Sequence, residues 1–180
     1  MLLVAAATSR ELRGTDGAAT LVCGVGPVEA AARTAAELAQ RRPSAVLHVG
    51  IAGARTFARP AFVVGREAVY CDADDPRWIE LRVQADERLV AAAVRALPGA
   101  SVDSIGTSAR VGGSSGCEIE AMEGYAVLRA CALADVPAVE VRVVANEIGE
   151  PDRSRWRFDE ALDALAAALP RLVEELDAHA

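Results

Sequence analysis

Glu118, Glu120 and Glu123 crowd the opening of a small, apolar run of residues, and Asn146 stands at the C-terminal end of the almost wholly apolar segment from Ala138 to Ala145. Carboxylates can accept hydrogen bonds from hydroxyls, stabilise a developing positive charge or act as a general base, and an amide can both donate and accept. The first stretch reads as a helix start, ended by Asp135-Val136-Pro137, and the second as a buried strand. In open α/β sheets ligands sit at the C-terminal ends of strands, so these two features make half of an active site. On this reading Glu120 and Glu123 lie three apart on one helix face, where like charges repel by roughly 0.2–0.5 kcal/mol and the helix N-terminus offsets part of the cost. Two roles stay open for them: complementing the helix dipole, or, for Glu123 ahead of Gly124, serving as an inward-facing ligand carboxylate. Arg142 sits inside the apolar strand and needs a carboxylate partner, because an unpaired buried charge is costly; Glu120 or Glu123 is expected to supply it in a structural ion pair.

The elements that must position these groups alternate between strand and helix. Short apolar runs at Leu2–Ala7, Thr20–Gly24 and Ala45–Val49 read as strands, as do Ala61–Tyr70, with Gly65 as a bulge, and Ser101–Thr107. Pro27 suits the first position of a helix that runs to about Gln40, Asp86–Leu97 is amphipathic, and a last helix begins at Arg157 or Phe158 with Pro170 expected to bend it. Alternation of this kind calls for α/β architecture: one domain over residues 1–180, with a mixed, mostly parallel central sheet flanked by helices. Glu11 follows the first strand, where a solvated first-turn helix residue is the plain expectation. Gly24-Val25-Gly26 lacks the third glycine of a dinucleotide fingerprint. Gly50-Ile51-Ala52-Gly53 follows the third strand as a glycine-rich turn, where the backbone can approach a ligand closely. The Val111–Cys117 loop, VGGSSGC, is expected to cover a site. His48 reads as a core residue, Phe57–Pro60 as a loop, and the acidic Cys71–Pro76 segment as solvated because it lacks EF-hand spacing.

Composition narrows the function classes. The chain of 180 residues has a net charge of −7 with no basic run, which argues against nucleic acid, and no apolar stretch approaches the roughly 20 residues of a membrane span. The apolar start, MLLVAAA, lacks a preceding basic region and reads as a strand rather than a signal peptide, so a cytoplasmic location is expected. Four scattered cysteines make no metal pair; Cys117 is the one expected to be most reactive. The sequence contains no lysine, which excludes a P-loop and Schiff-base chemistry. No metal and no cofactor are expected.

Glu120-Ala121-Met122-Glu123-Gly124, then Val136-Pro137, then Val141-Arg142-Val143-Val144-Ala145-Asn146 resembles the signature of the nucleoside phosphorylase/nucleosidase superfamily, and the turns at Gly24 and Val49 fall where that family has its glycine turns. Within it, AMEG followed by Asn146, Gly149, Asp152, Arg153 and Trp156 is most similar to the futalosine hydrolases, nucleosidases of the alternative menaquinone pathway. The resemblance implies roles. Met122 and Glu123 would hold the ribose of a small nucleoside. Glu11 would orient and deprotonate water, and Asn146 would meet the imidazole edge of the purine. Gly50, Ile51, Ala52 and Gly53 would supply backbone beside the water and sugar, with Val111 also touching substrate. It implies homo-oligomerisation too, with a neighbouring subunit able to complete the site.

The chemistry fits these residue types. Breaking an N-glycosidic bond creates a ribosyl cation, which a carboxylate stabilises while a base readies water, worth roughly 10²–10⁴-fold. An amide can accept from a protonated N7 and donate to a 6-oxo group, so Asn146 favours a 6-oxopurine over adenine. Phosphorylases of the superfamily place Arg just before the second glycine turn; here His48 stands there, and a neutral His anchors phosphate poorly. Hydrolysis of a 5′-modified 6-oxopurine nucleoside is the leading expectation, with a purine nucleoside phosphorylase or a catalytically silent nucleoside-binding protein as alternatives. The segment from Arg13 to Thr20 and the VGGSSGC loop are shorter than in relatives, and no aromatic stands near Arg110 to stack on a base.

Overall fold

A computed structural model describes residues 1–56, 60–111 and 116–180. Among these, eight strands pair into one sheet: β1 (Leu2–Ala6), β2 (Ala19–Val22), β3 (Ala45–Ala54), β4 (Phe62–Tyr70), β5 (Arg82–Gln84), β6 (Ser101–Thr107), β7 (Ile119–Ala121) and β8 (Ala138–Glu147). The helices are α1 (Pro27–Arg41), α2 (Glu87–Ala96), α3 (Gly124–Leu133) and α4 (Phe158–Asp177).

The sheet is mixed and mostly parallel, and it is not simply open. β3 pairs with β7, β7 with β6, β6 with β4, β4 with β8, and β8 with β3, so five strands close a ring. β1 and β2 extend the sheet from β3, and β5 from β4. Nearly all of β8, within the ring, and all of β1, between β2 and β3, are buried, and strands covered on both faces read as continuous apolar runs. Outside the ring, α1 packs on α3 and α2 on α4. The apolar stripe of α4, with Leu165, Leu169, Leu172 and Leu176, is fully buried, and Pro170 lies within that helix. None of the helices described is long and apolar enough to cross a membrane.

Local signals explain most element ends. Pro27 opens α1, whose N-cap, Gly26, has φ +88°, a conformation that favours glycine. Asp86 caps α2 by accepting from the amides of Arg88 and Leu89. The parallel β4–β6 register shifts between Gly65 and Glu67, as the lone glycine in that strand suggests.

Two readings need correction. Glu118 and Glu120 do not begin a helix: Ile119–Ala121 is a strand wedged between β3 and β6, and α3 starts only at Gly124, with Glu123 as its N-cap. Glu120 and Glu123 therefore share no helix face. Gly50 to Gly53 are not a turn past a strand either; β3 runs straight through them to Ala54, held by β8 and β7. The expected Phe57–Pro60 loop falls largely on residues 57–59, and the VGGSSGC cover largely on residues 112–115, both outside the described residues.

Candidate active site

The third residue of a short 3-10 helix, Ser9–Leu12, brings Glu11 directly over β3. Far from solvated, Glu11 is buried: its Oε2 accepts from the Thr8 amide (2.9 Å) and Thr8 hydroxyl (2.8 Å), and its Oε1 from the Ile51 amide (3.3 Å). Three donors fix the carboxylate. Glu123 is buried at the mouth of α3, where its Oε1 accepts from the Gly26 amide (3.0 Å) and its Oε2 lies 3.5 Å from Arg142 Nη2. Asn146 ends β8. The β3–β8 register skips a residue there, pairing Ala52 with Val144 but Gly53 with Asn146, so Ala145 is an extra residue that breaks the alternation of the strand. Bulges re-aim side chains; Asn146 lies against Gly53 and donates from Nδ2 to the Glu147 carbonyl (3.0 Å).

These groups line one cavity of about 360 Å³. Its wall includes Glu11, Ile51, Ala52, Gly53, Val111, Met122, Glu123 and Asn146, every predicted site residue except Gly50. Gly50 lies just behind the wall. It pairs with Arg142, and a Cβ there would overlap the Arg142 guanidinium and stand 2.7 Å from Glu11 Oε1. Its role is to leave that space empty.

The ion pair expected for Arg142 exists, with one partner that sequence reasoning missed. Arg142 Nε donates to Glu140 Oε1 at 2.6 Å, while Nη2 faces Glu123 and lies 3.3 Å from His48 Nδ1. Glu140, Arg142 and His48 are all fully buried or within one per cent of it. Burial, and then Arg142, hold the His48 imidazole well below its usual range, so it is a neutral core group, as expected. Burial likewise pushes the Glu140 carboxyl up, against the pull of Arg142, while Glu140 and Glu123 raise the Arg142 guanidinium against its own desolvation. Two charged residues at i and i+2 in an apolar strand share one face, and that spacing could have revealed Glu140.

Apolar and aromatic groups, Ile148, Trp156, Phe158 and Leu162, also line the cavity, and the Arg153 guanidinium stacks 5.6 Å from the Trp156 ring centre. Phe158 had read only as a candidate start of the last helix. Among the described residues no cluster of His, Cys, Asp and Glu could hold a metal ion. Asp72, from the acidic segment, accepts from the Ser108 hydroxyl and the Ala109 amide, so it ties a loop down.

The arrangement therefore offers two buried carboxylates around one cation, an amide, and apolar and aromatic walls. No family model matches the chain. Over 62 residues, 34% of its length, it is 45% identical to futalosine hydrolase of Streptomyces coelicolor, and over 60 residues 45% identical to that of Thermus thermophilus. Each matched segment spans about a quarter of the relative's length (26% and 27%). Solved structures match nearly end to end. A futalosine hydrolase mutant of Helicobacter pylori superposes with a TM-score of 0.85 at 17% identity, covering 97% of this chain and 98% of that one. The chain has the nucleosidase fold. A 5′-methylthioadenosine/S-adenosylhomocysteine nucleosidase of Streptococcus pneumoniae, solved with a transition-state inhibitor, matches at 0.83 and 18% identity over 97% of this chain and 99% of that one. On the nucleosidase fold of this chain, the abbreviated segment after Arg13 forms a tight turn: the Thr15 hydroxyl donates to the Leu12 carbonyl, and Gly14 (φ +89°) passes close to the Ala166 backbone.

Proposed function

We propose that the chain hydrolyses the N-glycosidic bond of a 5′-modified 6-oxopurine nucleoside of the futalosine kind. One observation carries this reading: Glu11, Glu123 and Asn146, distant in sequence, meet on a single cavity whose 360 Å³ falls within the ~300–1,000 Å³ range of small-ligand sites. The partial identity to futalosine hydrolases supports the substrate class.

The geometry supports the following roles. Glu123 accepts from the ribose hydroxyls and stabilises the positive charge that grows on the sugar as the base departs. Glu11 orients a water beside the Ile51 amide and takes its proton, and the water oxygen forms the new bond to the anomeric carbon. The glycosidic C–N bond breaks, its electron pair leaves with the purine, N7 takes up a proton from solvent that balances the one Glu11 receives, and the Asn146 carbonyl oxygen accepts a hydrogen bond from that N7–H. Nδ2 of Asn146 already donates to Glu147, and its second hydrogen remains for a 6-oxo group. The apolar stretch from Ile148 to Leu162 accommodates the 5′ substituent.

Hydrolysis is favoured over phosphorolysis because His48, at the position where phosphorylases carry Arg, is buried and neutral beneath the cavity. We also propose a homo-oligomer. Val25 and Val111 at the cavity, and Val22 and Val28 nearby in sequence, are exposed apolar groups that a second copy would cover; sedimentation that gave only monomer would count against it.

Product analysis tests the activity. Incubation with futalosine, inosine, methylthioadenosine and adenosine, with and without phosphate, should release free base and ribosyl sugar from the 6-oxopurines, with no need for phosphate. Glu11→Gln should lower kcat by roughly 10²–10⁴-fold. A phosphate requirement, faster cleavage of adenine nucleosides, or an unaffected Glu11→Gln variant would each refute the corresponding part.

A further inference from the structure

Three buried carboxylates, Glu11, Glu123 and Glu140, gather around one cation, Arg142, with a neutral His48 beside it. Two of the three line the cavity. Glu140 does not, yet it makes the shortest contact of the group, 2.6 Å from its Oε1 to Arg142 Nε. Its other oxygen, Oε2, has no hydrogen-bond donor among the described residues. A buried carboxylate oxygen without a donor costs free energy, so packing alone gives no reason for an acid here.

The surroundings are shaped to fit this acid. The β3–β8 register sets His48 beside Glu140 and Gly50 beside Arg142, all on one face. Gly124, the first residue of α3, meets Glu140: a Cβ there would overlap the carboxyl group. Gly50 likewise clears space for the guanidinium. Two glycines therefore make room, one for the acid and one for the base. The guanidinium is planar, so a partner on its Nε edge fixes the plane and aims both Nη groups. One Nη group then faces Glu123 and His48, and the other the side where Glu11 stands.

We propose that Glu140 is a positioning residue for the candidate active site, holding Arg142 by its Nε edge so that this buried cation stands between the Glu11 and Glu123 carboxylates. This rests on the nucleosidase reading. The shared cation offsets the repulsion between the two carboxylates, and each keeps acceptor capacity for water or ribose. Without that hold Arg142 is free to close onto Glu123 and abandon Glu11. Misplacement by about 1 Å at such a site costs on the order of 100-fold in rate.

The test compares Glu140→Asp with Glu140→Gln. Aspartate keeps the charge but is one methylene too short to reach Nε. Glutamine keeps the reach and an acceptor oxygen but loses the charge. Neither removes the side chain, so thermal melting should find both folded. For release of free base from futalosine or inosine, kcat should fall about tenfold or more in the aspartate variant and at most about threefold in the glutamine variant, with KM held within about threefold in both. A glutamine variant as impaired as the aspartate one, equal kcat in all three proteins, or an effect confined to KM overturns the proposal. If the wild type releases no base from any nucleoside, the nucleosidase reading fails, and crystal structures of the two variants decide this proposal alone. A guanidinium drawn away from Glu11 in the aspartate variant but not in the glutamine variant supports it, and an unmoved one in both overturns it.

Discussion

Gly50→Ala is the most searching single substitution. Gly50 lies in the middle of β3 and needs no unusual backbone angle, so alanine meets no backbone objection. Its methyl group would instead enter the space between the Arg142 guanidinium and Glu11 Oε1, overlapping the first and standing 2.7 Å from the second. Neither neighbour yields easily. Arg142 is held by Glu140 at 2.6 Å, and Glu11 by three donors between 2.8 and 3.3 Å. Overpacking of a tight core costs about 1–3 kcal/mol, and for a chain of this size each kcal/mol lowers Tm by roughly 2–4 °C. We expect Tm to fall by about 2–12 °C and kcat by on the order of 100-fold, because either group must move by about 1 Å. Gly53→Ala is the comparison. A Cβ there meets Asn146 Nδ2 at 3.1 Å and Ile148 at 3.2 Å, so smaller shifts relieve it and its losses should be smaller. Differential scanning calorimetry and a base-release assay read both effects. A Gly50→Ala protein that melts and turns over like the wild type would show that Arg142 and Glu11 do not crowd this spot, and the account of the site would fail with it.

Two further predictions use other groups. His48 is buried with its imidazole held well below the usual 6.5, so the unfolded chain binds a proton that the folded one refuses. Stability is therefore present above pH 6.5 and is lost as pH falls; between pH 7 and 5.5 the wild type should lose on the order of 1 kcal/mol that a His48→Gln variant does not, measured by urea unfolding. Cys117 is lowered to about 7 by a hydrogen bond with Cys71, against its own desolvation, while burial raises Cys23 to about 11 and Cys131 to about 12. Iodoacetamide at pH 7 should label Cys117 well ahead of Cys23 and Cys131 in peptide mass spectrometry, and uniform labelling of native protein would contradict these environments.

Much of this was legible in the residues themselves. Apolar runs with turn residues between them located the long strands, Pro27 and Asp86 marked helix starts, and the lone Arg142 in an apolar strand demanded an acid. The failures share a cause: short-range pattern yields to long-range pairing. Ile119–Ala121 is three residues long, too short to show alternation, and it is a strand only because β3 and β6 flank it. Glycines 50 and 53 imitate a turn, yet they lie within a strand because Arg142 and Asn146 need the room their side chains would take. Glu11 was read as solvated because nothing nearby in sequence announces that Ile51, forty residues on, will donate to it. Glu140 was passed over because one acid in an apolar run looks incidental until its neighbour on the same face, two residues on, is counted.

The charges of β8 also safeguard its alignment. Glu140 and Arg142 alternate with Val139, Val141 and Val143 in a strand that is clasped by β3 on one flank and β4 on the other. Sliding this strand by a single position would turn an acid and a base into aliphatic surroundings and set valines against His48 and Glu123 in their place. A purely hydrocarbon strand would tolerate such an error far more readily. The ionic pair that serves the site thus doubles as a proofreading mark for the sheet, penalising misthreaded chains before any ligand arrives.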